Sequence, residues 1–145
     1  MAGQKTILAF DFGLRKIGVA VGNTVTKTTL PLDIIYRRNG SIPWSDIESL
    51  LEEWKPSSVL VGDPINMDGT LSEMSEKARK FAGRLHGRFS VKVLMADERL
   101  TSFEAKSSLQ NEARKKTGHD KIDSLAAEII LKDWMTTSQS NSNNH

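Results

Sequence analysis

Three acidic residues combine the side-chain type and the position that an oxygen-ligand metal site needs. Asp11 ends a short apolar run, Glu98 closely follows another, and Asp123 falls in the first turn of a patterned helix near the C-terminus. Each alone has an ordinary interpretation: a turn residue, a partner of Arg99, or a helix-dipole contact. Because strand ends in an α/β sheet open on a common crevice, we expect the three carboxylates to converge.

Converging carboxylates form a hard oxygen site that favours Mg²⁺ or Mn²⁺. Two such ions, about 4 Å apart, activate a water and stabilise the leaving oxygen when a phosphodiester bond is hydrolysed. The sequence therefore predicts Asp11, Glu98 and Asp123 as catalytic residues and as ligands of Mg²⁺ or Mn²⁺, with two ions expected.

Basic residues near these acids are the predicted nucleic-acid contacts: Arg15, Lys16, Arg99, Arg114, Lys115, Lys116 and Lys121. Such side chains contact phosphates and position the substrate without reading its base sequence. A second basic set follows helical spacing beside an apolar stripe, and its ordinary interpretation is a solvated flank: Lys77, Lys80, Arg84 and Arg88. Most aromatic residues fall at core positions, so base stacking is not expected to dominate recognition.

The composition narrows the class of protein. The chain has 145 residues, a formal net charge of +2 and no cysteine. This length suits one domain with a single core, and the near-balanced charge predicts no strong nonspecific attraction to nucleic acid. The absence of cysteine excludes disulfides, thiolate zinc sites and a cysteine nucleophile. No apolar run approaches the length of a membrane helix, so we expect a soluble protein, in a reducing cytoplasm.

The elements that must position the acids follow from apolar spacing. Strands are predicted over Lys5–Asp11, Ile17–Gly22, Thr26–Tyr36, Ser58–Gly62 and Val91–Ala96. Helices are predicted from Trp44 to Trp54, from Thr70, over 101–113, and from Ile122 to Met135, the first three with capping boxes starting at Ser45, Thr70 and Thr101. The order βββαβαβαα predicts an α/β fold with a mixed five-stranded sheet and helices on both faces. We expect a domain over 1–135 and a disordered polar tail over 136–145.

Four sequence blocks, in order, resemble the YqgF or RuvX family, described as Holliday-junction-resolvase-like and as pre-16S rRNA nucleases. The blocks are DFGLRKIGVAVG at 11–22, VGDPINMDGT at 61–70, DERLTS at 97–102 and KIDSLAA at 121–127. The resemblance spans residue 5 to about residue 135. It implies a ribonuclease H-like fold, a cytoplasmic location and maturation of the 5′ end of 16S rRNA. It also implies that Asp11, Glu98 and Asp123 are the catalytic acids.

Two positions depart from the family pattern. Residue 63 is Asp where the family usually has an apolar residue, and His119 lies where a basic residue is common. Asp63 follows the fourth strand, which lies beside the first in this fold, so it is an auxiliary candidate for the metal site. An Asp-Pro turn is its ordinary interpretation. His119 is an auxiliary candidate for proton transfer, although a loop histidine is ordinarily just solvated.

Several functions remain open at this point. The leading hypothesis is a nuclease acting on structured RNA, with pre-16S rRNA or a ribosomal particle as its partner, in a monomer or weak dimer. Cleavage of branched DNA uses the same chemistry, and the residues do not separate the two substrates. A binding module that holds RNA or a transcription or ribosome-assembly partner without hydrolysis is the alternative from another class. An actin-like phosphotransferase shares the element order but needs two such domains, and this chain has the length of one.

Overall fold

The structure is a computed structural model that describes residues 5–100 and 125–142. Its strands are β1 (Thr6–Phe12), β2 (Lys16–Asn23), β3 (Thr28–Tyr36), β4 (Ser58–Asp63) and β5 (Val93–Asp97). Its helices are α1 (Trp44–Trp54), α2 (Glu73–Phe89) and α3 (Leu125–Ser142), and a short 3₁₀ turn covers Glu98–Leu100. The helix predicted over 101–113 and the loop predicted over 114–120 lie outside the described residues. No helix in the described ranges is long and apolar enough to cross a membrane.

The five strands form one sheet in the order β3-β2-β1-β4-β5. The neighbours β1 and β2 run antiparallel, as do β2 and β3, whereas β1 pairs with β4, and β4 with β5, in parallel. Parallel neighbours need a crossover connection, and α1 and α2 supply the crossovers between β3 and β4 and between β4 and β5. The predicted mixed five-stranded sheet is confirmed, with β1 at its centre.

The two faces of the sheet bury different helices because side chains alternate along each strand. Leu8 and Phe10 of β1 join one buried cluster with residues of α1 and α2, such as Phe81. Ile7 and Ala9 join another buried cluster with residues of α3 such as Ile130, Leu131 and Met135. We call these sides the α2 face and the α3 face. Helices on both faces were predicted, and the structure confirms them.

The predicted capping boxes at the start of α1 and α2 are wrong. Helix α1 begins after Pro43 without a side-chain cap. Helix α2 begins at Glu73, and its cap is the Ser72 hydroxyl, which accepts a hydrogen bond from the amide of Ser75 at 3.0 Å. Thr70 is engaged elsewhere, because Asp68 Oδ1 accepts both its amide (2.9 Å) and its hydroxyl (2.6 Å). This local Asp turn competes with helix capping, and here it prevails.

Helix α3 continues through Ser142, beyond the predicted end of patterned sequence at Met135. The backbone over 136–142 is therefore helical, and residues 143–145 of the predicted tail lie outside the described residues. The chain has neither Gly nor Pro after Met135, so nothing in the sequence stops the ladder of backbone hydrogen bonds. Met135 is buried, whereas Thr136 is exposed.

Deleting residues 136–145 should leave the thermal midpoint almost unchanged. The deleted segment contains only polar side chains, so its loss removes no apolar anchor from the core. Differential scanning calorimetry of the full chain and the truncated chain checks this expectation. A midpoint lower by more than about 4 °C, roughly 1 kcal/mol for a domain of this size, would show that the tail stabilises the fold.

Candidate active site

Asp11 lies at the carboxyl end of the central strand β1. Its Cα pairs with Gly18 of β2, and the pairing of Phe10 with Val61 places Asp11 beside Gly62 of β4. Alternation along β1 directs its side chain to the α3 face, where Ala9 is also buried. Burial raises the pKa of the Asp11 carboxyl above its usual value. A carboxylate in this position is therefore stabilised by a cation brought close to it.

Glu98 approaches the same end of the sheet from β5. It begins the 3₁₀ turn that directly follows β5, and this turn brings its carboxylate over Gly62. A β-carbon at position 62 would lie 3.2 Å from Glu98 Oε2. Since Asp11 lies beside Gly62 on the neighbouring strand and Glu98 Oε2 lies over the same glycine, both residues flank Gly62 on the α3 face.

Gly62 is a site residue that the sequence interpretation did not single out. A β-carbon there would also lie 2.6 Å from Cδ1 of Ile130 on α3, closer than atoms pack. A glycine therefore provides the space that Glu98 and the helix both occupy. The one available signal was its position, as the last apolar-run residue before an aspartate.

Asp63, one residue further along β4, lies on the other face of the sheet. Its carboxylate is buried, at 2% exposure, and accepts hydrogen bonds from Arg79 Nε at 2.9 Å and Arg79 Nη2 at 2.8 Å. The hydroxyl of Ser75 donates to its other oxygen. Asp63 therefore joins β4 to α2. This placement replaces the auxiliary metal role with a structural one.

Three of the predicted phosphate contacts lie within the described residues, and their surroundings differ from one another. Arg99 forms an ion pair with Asp97 at 2.7 Å, and its hydrogen bonds lower the pKa of that carboxyl. The same hydrogen bonds to Asp97 raise the pKa of the Arg99 guanidinium, and the negative charge of Asp68 adds to this rise. Arg15 and Lys16 are exposed at the β1–β2 turn, at the same end of the sheet as Asp11.

Comparison with known proteins decides the family. Residues 5–137 match the sequence model of RuvX, described as Holliday junction resolvase. The chain belongs to the RuvX family. Two relatives, from Hahella chejuensis and Azotobacter vinelandii, bear the name "Putative pre-16S rRNA nuclease". The first is 51% identical over 131 residues, which cover 90% of this chain and 83% of that protein. The second is 47% identical over 136 residues, which cover 93% of this chain and 96% of that protein.

Solved structures show that this RuvX-family chain has the ribonuclease H-like fold, as predicted. Thermus thermophilus RuvC, solved in complex with a Holliday junction substrate, superposes with a TM-score of 0.58 at 11% identity. The match covers 92% of this chain and 96% of that one. Fowlpox virus resolvase, in complex with Holliday junction DNA, gives 0.56 at 14% identity over 92% of this chain and 98% of that one. At these identities the likeness concerns the fold alone.

Several predicted residues of this RuvX-family chain lie outside the described residues, namely Asp123, His119, Arg114, Lys115, Lys116 and Lys121. Their roles stay predictions. Within residues 5–100 and 125–142, no group of three or more His, Asp or Glu side chains is placed to hold a metal ion. The described part contributes two carboxylates, Asp11 and Glu98, whose hard oxygen donors fit Mg²⁺ or Mn²⁺.

Replacing Gly62 with alanine should lower nuclease activity about tenfold or more while costing about 1 kcal/mol of stability. The new methyl group displaces the Glu98 carboxylate and the tip of Ile130, and small displacements of catalytic groups have large effects on rate. Gly83→Ala is the matched control, because a β-carbon at this helical position meets nothing within 4 Å and should stabilise α2 slightly. Equal activity of the two variants would show that the Gly62 space is not needed.

Proposed function

We propose that this chain is a divalent-metal-dependent endonuclease that hydrolyses phosphodiester bonds in structured RNA, in the maturation of the 5′ end of 16S rRNA. The observation that carries the proposal is the position of Asp11 and Glu98 next to Gly62 on one face of the sheet, at the end of three adjacent strands. Membership of the RuvX family supports nuclease chemistry, and the names of the two relatives support pre-16S rRNA as the substrate.

Asp11 and Glu98, with Asp123 as the third acid, are the proposed ligands of Mg²⁺ or Mn²⁺. Two such ions supply activation of the attacking water and stabilisation of the leaving oxygen. Asp11 contributes a carboxylate at the end of the central strand, where its backbone pairs with Gly18 of β2. Glu98 reaches the site from a 3₁₀ turn, and the missing side chain of Gly62 gives its carboxylate room.

Arg15 and Lys16 are the proposed phosphate contacts nearest to Asp11. Both are exposed on the turn after β1, so they would contact the substrate backbone beside the scissile phosphate. Arg99 stays a weaker candidate because Asp97 already neutralises its charge. The same proposal includes a cytoplasmic location and a monomeric or weakly dimeric state.

A branched-DNA resolvase is the second candidate function. The family description, Holliday junction resolvase, favours it. Both candidates use the same acids, so they differ in the substrate and not in the site. A direct comparison of cleavage of the two substrates separates the two functions.

The deciding experiment offers both substrates to the purified full-length chain. A 16S precursor fragment carrying the 5′ extension and a four-way DNA junction are each incubated with Mg²⁺, with Mn²⁺ or with EDTA, and the products are separated on denaturing gels. We expect cleavage of the RNA at its 5′ extension with either metal and none with EDTA. Preferential cleavage of the junction would favour the resolvase. Cleavage of neither substrate, together with retained RNA binding, would support the binding module instead.

A further inference from the structure

A small basic cavity lies on the α2 face, at the same end of β1 as the candidate active site. Its volume is about 190 Å³. Among the described residues, its lining comprises four apolar residues and four cations, Arg37, Lys77, Lys80 and Arg84, with no carboxylate. Each water occupies about 30 Å³ in the liquid, so this volume has room for a group several times the size of a water molecule.

The four cations differ in how far their charge is already used. Arg37 donates to the carbonyls of Gly13 (2.7 Å) and Ser41 (3.3 Å) and stacks over Phe12, with 4.7 Å from Cζ to the ring centroid. These contacts fix the loops around the cavity and occupy the donors of Arg37. Lys77 lies 3.6 Å from Glu73, an exposed helical pair of small energy.

Lys80 and Arg84 have no ion-pair partner among the described residues. They are four positions apart on α2, and Lys77 is three positions before Lys80, so like charges face each other along one side of the helix. Such pairs destabilise a helix by a few tenths of a kcal/mol each. A bound anion would offset this repulsion.

The floor of the cavity is apolar. Phe12 and Phe81 stack there with ring centroids 4.7 Å apart, and both are buried. Charges beside an apolar floor are screened less than charges surrounded by water, so the attraction between the cations and an anion is strengthened. From the sequence, the basic set of α2 was interpreted as a solvated flank. That interpretation explains neither the cavity nor the lack of acidic residues among the described residues that line it.

Arg88, the fourth member of the basic set in the sequence, does not line the cavity. Its guanidinium lies over Trp44, with 4.4 Å from Cζ to the ring centroid. The basic set therefore divides into three residues that line the cavity and one, Arg88, that packs on an aromatic ring. This division identifies Lys80 and Arg84 as the residues to test.

The cavity and the acids share the end of β1. Phe12 lines the cavity and Asp11 is its immediate neighbour, so the two side chains leave the strand on opposite faces. A nucleic-acid strand that crosses this end of the sheet would meet the acids on the α3 face and the cations on the α2 face.

We propose that the cavity formed by Lys80, Arg84 and Lys77 binds a backbone phosphate of the nucleic-acid substrate away from the scissile bond. The inference rests on the proposed function in one respect, namely that the substrate is a nucleic acid. The contact positions the strand without reading its bases. Its contribution is electrostatic and falls as the salt concentration rises.

The test measures binding without cleavage. Fluorescence anisotropy with a labelled 16S precursor fragment, in EDTA and at 50 to 200 mM salt, gives the affinity and its salt dependence for the full-length chain. The double variant Lys80→Ala/Arg84→Ala should bind about tenfold more weakly. The slope of log affinity against log salt should become shallower by about 1.5 to 2, since each lost cation removes about one counterion-releasing contact.

Two further variants keep the result interpretable. Lys5→Ala/Lys92→Ala removes the same number of charges at the starts of β1 and β5, the opposite end of the sheet, and should bind nearly as well as the wild type. Lys80→Arg/Arg84→Lys retains the charge and should also bind nearly as well. Thermal melts of all variants confirm that each is folded.

Equal binding by the cavity variant and the Lys5/Lys92 control would overturn the proposal, and so would a wild type that binds neither the RNA nor the labelled four-way DNA junction. The failure of the proposed function has a different signature. If the wild type binds RNA through the cavity but cleaves neither the RNA nor the DNA junction in the presence of metal, the phosphate site is supported. The proposed nuclease function is then contradicted.

Discussion

Replacing Asp11 with asparagine should reduce metal-dependent cleavage of the 16S precursor fragment by at least about 10²-fold. The change keeps the size of the side chain but removes a carboxylate that the site offers to a metal, and even partners of metal ligands cost 10- to 100-fold. Without metal, the variant should be as stable as the wild type or slightly more stable. The reason is that burial raises the pKa of Asp11, so its charged form destabilises the folded state at neutral pH.

Four melting curves and one gel check this expectation. The curves compare the wild type and Asp11→Asn with and without Mn²⁺, and we expect Mn²⁺ to raise the midpoint of the wild type more than that of the variant. Asp33→Asn, an exposed aspartate on the edge strand β3, is the matched control and should behave like the wild type. Cleavage by Asp11→Asn at the wild-type rate, with equal stabilisation by metal, would exclude Asp11 as a ligand.

Replacing Arg79 with alanine should lower the stability of the fold by about 3 kcal/mol, or the thermal midpoint by about 10 °C. The change leaves the buried Asp63 carboxylate with Ser75 as its remaining side-chain partner. Arg79 itself is about half exposed, at 46%, so we place the effect at the low end for a broken buried pair. Urea or thermal unfolding of the wild type and the variant measures it.

A double-mutant cycle separates the ion pair from other effects of truncating Arg79. Asp63→Asn removes the buried charge, so Asp63→Asn/Arg79→Ala should be more stable than the sum of the two single losses implies. At a temperature where Asp63→Asn is folded, it should retain metal-dependent cleavage, in contrast to Asp11→Asn. Simple additivity of the two losses would contradict the pairing, and loss of cleavage in folded Asp63→Asn would restore Asp63 as a candidate ligand.

The order of the strands along the chain, and the positions of Asp11 and Glu98 after two of them, could be predicted from the sequence because they depend on local signals. Short apolar runs bounded by glycine and polar residues mark the strands, and each strand lies within about two residues of its predicted place. An acid at the end of a parallel strand necessarily lies at the carboxyl edge of the sheet. The helix starts were less accessible, since Asp68 captures Thr70 in a local turn and moves the cap to Ser72.

The sequence by itself determined the family, the fold class and the edge of the sheet at which chemistry is expected. Only the tertiary structure decided which face each side chain at that edge occupies. Asp63 was predicted to lie in a turn after Gly62, but β4 includes it, and alternation then directs its carboxylate to Ser75 and Arg79 on the α2 face. The basic residues on the α2 face were likewise separated by their partners. Arg88 lies on Trp44 and Arg37 on Phe12, whereas Lys80 and Arg84 line a cavity, because packing between distant segments has no signature in local spacing.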